Sequence, residues 1–262
     1  MGKLSGKVAL ITGASKGIGE GIARAFANHG AQLVLAARGE GVLKLAEDLR
    51  NEGFDAIGVQ MDVSDMKSVQ DGYAKAVEKY GRVDILVSNA GVCRLGDFLT
   101  QSDEERDMHY NINVKGAWNT SKAVLPGMVE RKWGRIVIMS SVTGYMVADP
   151  GEAAYAMSKA ALVGLTKALS REFAPYVNVN AICPGYVLTP MVKGMANQSC
   201  PENPQSVIDG IAAGIPLGRL ADPLEVGELA AFLASNESSY LTGAQFVIDG
   251  GSTLPETSTM GV

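Results

Sequence analysis

Short runs of unbroken apolar residues alternate along this chain with longer stretches in which apolar positions recur every three or four residues. The runs fall at residues 7–11, 32–37, 56–61, 83–87, 135–139, 177–182 and 245–248. A strand with one wet face alternates apolar and polar positions; these do not, so they read as strands covered on both faces. The periodic stretches at 20–29, 42–51, 66–80, 102–131, 153–169 and 224–235 read as the covering helices. The predicted class is α/β: a doubly wound, seven-stranded parallel sheet with helices on both faces. No boundary, repeat or low-complexity segment divides the chain, so residues 1–262 are read as a single domain. Between 191 and 216 the periodicity weakens while Met, Gly and Pro accumulate, and a mobile lid is expected over about 189–216.

Chemistry collects where the first strands end. After the first run comes Thr12-Gly13-Ala14-Ser15-Lys16-Gly17-Ile18-Gly19 and then a helix. Gly13 permits a tight turn, Gly17 lets the backbone approach a pyrophosphate, and Gly19 lets the helix pack against the sheet, with its free N–H groups facing an anion. The second run ends in Ala37-Arg38. A carboxylate there bonds the 2′-hydroxyl of NAD; Arg38, with Lys16, suits the 2′-phosphate of NADP. NADP is the expected cofactor, NAD the lesser alternative, with Glu40 then reaching the ribose. Asp62-Val63 ends the third run, where a carboxylate can meet an adenine amino group. Asn89-Ala90-Gly91 ends the fourth, and its small residues suit a backbone close to a ligand.

Within residues 102–131, Asn113 is a poor interior helix former, so a local kink is expected there. Ser140 and Ser141 follow the fifth run. Tyr155 and Lys159, four apart on a helix, share one face. An ammonium beside a phenol favours the phenolate and lowers its pKa, which would ready Tyr155 for proton exchange. The pocket beyond is expected to be walled by Arg94, Met146, Val147, Tyr186 and Met191.

Composition narrows the class. A formal charge of −5 argues against nucleic acid or an anionic membrane as partner. Three cysteines without C-x-x-C spacing and two distant histidines suggest neither a disulfide framework nor a metal site. With no apolar leader or membrane-length run, a cytoplasmic location is expected.

Taken together, Thr12-Gly-x-x-x-Gly17-x-Gly19, Asp62, Asn89-Ala90-Gly91, Asn113, Ser141, Tyr155-x-x-x-Lys159 and Pro184-Gly185 resemble the motifs of the short-chain dehydrogenase/reductase family, in its order, over about residues 5–251. Residues 149–152 and 221–229 narrow the resemblance to a group of enterobacterial oxidoreductases. The resemblance implies a Rossmann-type domain that moves hydride between nicotinamide and a small carbonyl or alcohol, usually as a homotetramer. It implies Tyr155 as general acid/base, Lys159 lowering its pKa and holding the nicotinamide ribose, Ser141 orienting the substrate oxygen and Asn113 holding a water. Pro184, Gly185 and Thr189 would line the nicotinamide side. Ser88 replaces the family's usual asparagine. The Ser141–Tyr155 gap is one residue longer than common, which leaves Ser140 as a second candidate. A non-catalytic nucleotide-binding scaffold is the competing class, and the intact Asn113, Ser141, Tyr155 and Lys159 set argues against it.

Overall fold

The structure, a computed structural model, describes residues 2–254; most of the polar tail expected after Gly251 lies outside the described residues. Seven strands form one sheet: β1 (Val8–Thr12), β2 (Gln32–Ala37), β3 (Ala56–Gln60), β4 (Ile85–Ser88), β5 (Gly134–Met139), β6 (Val177–Pro184) and β7 (Gln245–Ile248). Their order is β3-β2-β1-β4-β5-β6-β7. Every pairing is parallel.

Successive residues of a strand serve opposite cores. Ala9, Ile11, Leu33 and Leu35 pack under α1 (Ile18–Asn28), α2 (Gly41–Asn51) and α9 (Pro223–Ala234). Val8, Leu10, Val34 and Ala36 pack on the other face against α3 (Met66–Tyr80), α5 (Lys115–Glu130) and α6 (Ala153–Phe173). Both faces are therefore dry, which is why the strands lack alternation; each buried Leu or Ile contributes about 1.5–3 kcal/mol.

The kink expected at Asn113 is present: α4 (Asp103–His109) and α5 flank a π-helical turn over Tyr110–Val114, which contains it. The stretch 191–216, weak in periodicity, is more regular than its sequence suggests. It folds as α7 (Pro190–Ser199) and α8 (Pro204–Ala213), each with proline in its first turn. Thr189 Oγ1 accepts from the Val192 N–H and Asn203 Oδ1 from the Ser206 N–H, both at 3.3 Å, so each helix has a side-chain cap.

Because every strand runs the same way, all their carboxyl ends lie on one edge. The chain winds outward in opposite directions from β1 and β4, and their adjacency opens a crevice there. One face of this frame depends on α1 and α9 approaching through Gly21 and Gly227. A Cβ on Gly21 would run into the Pro223 backbone, and one on Gly227 would sit 2.6 Å from the Gly21 carbonyl oxygen. Gly21→Ala is expected to cost about 1–3 kcal/mol by overpacking, read as a lower urea midpoint and a melting temperature lower by several degrees. An unchanged midpoint would show that the helices separate freely.

Candidate active site

At the crevice a cleft of about 480 Å³ runs along the carboxyl ends of the strands, and every residue expected to bind the cofactor lines it. Its first wall is the turn after β1. Gly13 and Gly17 have φ of 65° and 60°, in the left-handed region. A Cβ on Gly13 would lie 2.8 Å from Ala90 Cα, and one on Gly19 would strike the Gly13 carbonyl oxygen. The glycines are needed for a close approach of backbone to backbone. Gly17 is the N-cap of α1 and supplies no side chain, so nothing from the cap covers the first N–H groups of that helix. Ser15, Lys16, Ile18 and Gly19 complete this wall.

Thr12 and Asn89 lock the two central strands beneath it. Thr12 Oγ1 accepts from the Asn89 and Ala90 N–H groups at 3.0 and 3.1 Å. Asn89 Nδ2 donates to the carbonyls of Thr12 and Gly13 at 2.9 and 3.3 Å. Ser88, in the place of the family's asparagine, contacts Thr120 Oγ1 at 3.4 Å, a local anchor inside the fold.

Arg38 and Asp62 meet at one end of the cleft. Burial pushes the Asp62 carboxyl up, but hydrogen bonds from Ser64 and the charge of Arg38 outweigh it and hold the carboxyl below its ordinary value. A cleft with a glycine-walled helix N-terminus at its centre fits the pyrophosphate of a dinucleotide. Pro184, Gly185, Thr189 and α7 close the opposite end. A Cβ on Gly17 would lie 3.3 Å from the Thr189 side chain, which brings the two ends of the chain's cofactor motifs together.

Ser141, Tyr155 and Lys159 converge between β5 and α6. Lys159 is buried, its Nζ 5.6 Å from the Tyr155 ring centre and donating at 2.8 Å to the Met139 carbonyl. The Thr143 N–H donates to Ser141 Oγ at 3.1 Å, which leaves the serine hydrogen free to bond the Tyr155 hydroxyl. Ser140 is turned away: its hydroxyl donates to the Lys159 carbonyl at 2.8 Å and ties α6 to the sheet. Of the two serines, Ser141 is the one at the phenol.

The electrostatics differ from the expectation for Tyr155. Burial dominates and, with the neighbouring Cys93 and Glu152, raises the phenol pKa; the Ser141 hydrogen bond opposes it. Burial likewise lowers Lys159 to about 8. Burial is the largest cause of both shifts, so the phenol stays protonated beside an ammonium that is charged at neutral pH.

Asn113 sits behind the cleft. Its Oδ1 accepts from the Val92 N–H at 2.8 Å, and its Nδ2 donates to the Val92 carbonyl at 3.0 Å and to Ser158 Oγ at 2.9 Å. One amide hydrogen holds the loop after β4 and the other ties the π-helical turn to α6. His109 supports the same loop: its Nε2 accepts from the Arg94 N–H at 3.0 Å, so its proton sits on Nδ1 and meets the Glu105 carbonyl. Of the expected pocket walls, Tyr186 and Met191 line the cleft; Arg94, Met146 and Val147 do not. Their side chains leave the loops toward solvent, a direction that no sequence spacing fixes. Cys93, Thr143 and Glu152 take part in the walls instead. The signal for Glu152 was its place at the start of α6, three residues before Tyr155.

Lys159 makes the site's stability depend on pH. Its folded value of about 8 lies below 10.5, so between those values the unfolded chain holds more protons and stability rises with pH. The stability of the protein minus that of Lys159→Met is expected to climb across this window, by on the order of 1 kcal/mol per pH unit. Urea unfolding of both proteins checks it, the difference cancelling titrations they share; a flat difference would refute the buried ammonium.

The site's relatives agree with its geometry. A family model described as enoyl-(acyl carrier protein) reductase matches residues 13–253. Oxidoreductase UcpA of Salmonella typhimurium is 65% identical over 263 residues, covering 100% of both chains. A short-chain type dehydrogenase/reductase from Mycobacterium marinum superposes with a TM-score of 0.89 at 36% identity, over 97% of this chain and 98% of that one. Gluconate 5-dehydrogenase from Burkholderia cenocepacia, in complex with NADP and tartrate, gives 0.88 at 32% identity over 97% of each chain. With the parallel sheet and the cleft at its switch point, these matches identify the chain as an oxidoreductase of the short-chain dehydrogenase/reductase family.

Proposed function

We propose that this protein is an NADP(H)-dependent carbonyl reductase or alcohol dehydrogenase in which Tyr155 is the general acid/base. The observation that carries the reading is the grouping of Ser141, Tyr155 and Lys159 in a cleft whose far end offers Arg38 instead of a carboxylate. The NADP of the Burkholderia relative supports the choice of cofactor.

NADPH, when bound, supplies the hydride; position and proton come from the chain. As negative charge grows on a substrate carbonyl oxygen, Tyr155 gives it the phenol proton and Ser141 fixes it by a hydrogen bond. Lys159, charged at neutral pH, stabilises the phenolate left behind. A phenol held protonated by burial is in the state required of an acid, and an alkoxide is the far stronger base.

At the cofactor's far end, Lys16 and Arg38 hold the 2′-phosphate and Asp62 the adenine, while Asn113 acts through the loop it clamps. Trp118 on α5 and Met157 on α6 stand more than half exposed, apolar surface that supports assembly as a homotetramer. No helix among the described residues is long and apolar enough to cross a membrane.

Two measurements test the reading. Tyr155→Phe is expected to lower kcat at least about 100-fold with NADPH binding nearly intact, since a proton donor is lost without loss of shape. Retained turnover would refute the mechanism. Arg38→Ala is expected to weaken NADPH binding by roughly 10- to 100-fold in a fluorescence titration and leave NADH binding alone, the loss of one charge-assisted contact. An unchanged NADPH-to-NADH ratio would overturn the cofactor assignment.

A further inference from the structure

Beside Tyr155 the cleft continues into a second cavity of about 360 Å³, between Asp149, Glu152, Tyr186 and the helices α7 and α8. Its size is at the lower end of small-molecule pockets. Glu152 lines both spaces and is 5% exposed. It occupies the N-cap position of α6 but makes no side-chain cap bond, so its carboxyl is directed elsewhere. The Thr143 hydroxyl donates to its Oε2 at a long 3.3 Å, and among the described residues no cation balances it. Burial and then the charge of Asp149 raise its pKa, the mark of a carboxyl short of positive partners.

The polar groups around it are of one kind. The Tyr186 hydroxyl donates to Asp149 Oδ2 at 3.0 Å, and among the described residues no lysine or arginine lines the second cavity. The basic residues of the first are Lys16 and Arg38, at the cofactor's far end, and Lys159, whose ammonium stands over the Tyr155 ring and outside the second cavity. Apolar Leu95, Val192, Met195 and Ile211 form the remaining wall. A carboxylate or phosphate entering the second cavity would meet two carboxylates and no basic side chain in its described wall, whereas a hydroxyl can donate to Glu152 and satisfy a buried acceptor.

Resting on the reductase reading above, we infer that Glu152 is a specificity-determining residue that binds a hydroxyl next to the reacting carbon, so that the substrate is a small uncharged hydroxy-carbonyl compound or its polyol and not an anion. Glu152 lies three residues before Tyr155 on the helix that presents the phenol, and its charge is felt there, so the two groups address neighbouring atoms of one substrate.

The test is a matched set with NADPH: 1-hydroxybutan-2-one, butan-2-one and 2-oxobutanoate. The hydroxyketone is expected to exceed the ketone by roughly 10- to 100-fold in kcat/KM, mostly through KM, and the oxoacid to be the poorest. Glu152→Gln, close in shape, is expected to shrink the penalty on the oxoacid, and Glu152→Ala to remove the preference for the hydroxyl; melting curves and NADPH titration verify that both fold. Equal use of all three by the parent protein, or ratios unmoved in both variants, would overturn the inference and leave the reductase reading standing. If none of the three is reduced, calorimetric titration of the protein with NADP and butane-1,2-diol or 2-hydroxybutanoate decides between them. Binding of the diol alone supports the inference even if the reductase reading fails; binding of neither, or of the acid as tightly, overturns it.

Discussion

The structure depends on how closely two parallel strands that wind away from each other can be held at their carboxyl ends. Thr12 and Asn89 do this with one hydroxyl and one amide, each satisfying the other strand's backbone. Where β1 and β4 part, the backbone would otherwise leave polar groups unpaired in the interior, at a cost of about 1–3 kcal/mol each. The interlock meets that demand and fixes the turn at Gly13, against which Gly19 and α1 can close. Through α1 the same contact sets the position of α9, packed at Gly21 and Gly227. The cleft is a consequence of this constraint rather than an addition to the sheet.

A second, weaker set of bonds turns that cleft into a chemical site. Lys159 and Ser140 tie α6 to the end of β5 through main-chain carbonyls, one bond in each direction. An ammonium that meets a carbonyl and not a carboxylate stays poorly compensated, and burial brings it down to about 8. The same burial raises Tyr155. Stability is given up at the place where proton transfer is needed, in keeping with the clustering of shifted groups at functional sites. Glu152 belongs to the same pattern, a carboxyl held dry at the start of the helix that carries the phenol.

How legible the chain was depended on how much of each element is buried. The bounds of β2, α3 and β7 follow directly from the apolar pattern, and the break near Asn113 follows from the residue's poor fit to a helix. The helices α7 and α8 did not show because α7 buries little more than Ala196 and α8 buries nothing fully. Without an apolar stripe there is no period to read. Their signals were local: Thr189-Pro190 and Asn203-Pro204, a cap followed by proline in the first turn.

The sequence by itself determined the sheet, its order of glycine turn, arginine and tyrosine-lysine pair, and the family, because these rest on periodicity and on short spacings along one element. Only the tertiary structure decided that Ser141 and not Ser140 meets the phenol, that Asn113 clamps Val92, and that Arg94 faces away while Glu152 faces in. It also decided the direction in which the Tyr155 pKa moves. A pKa is set by how much solvent the whole fold removes and by which charges it brings near, and residues distant in sequence contribute most of both.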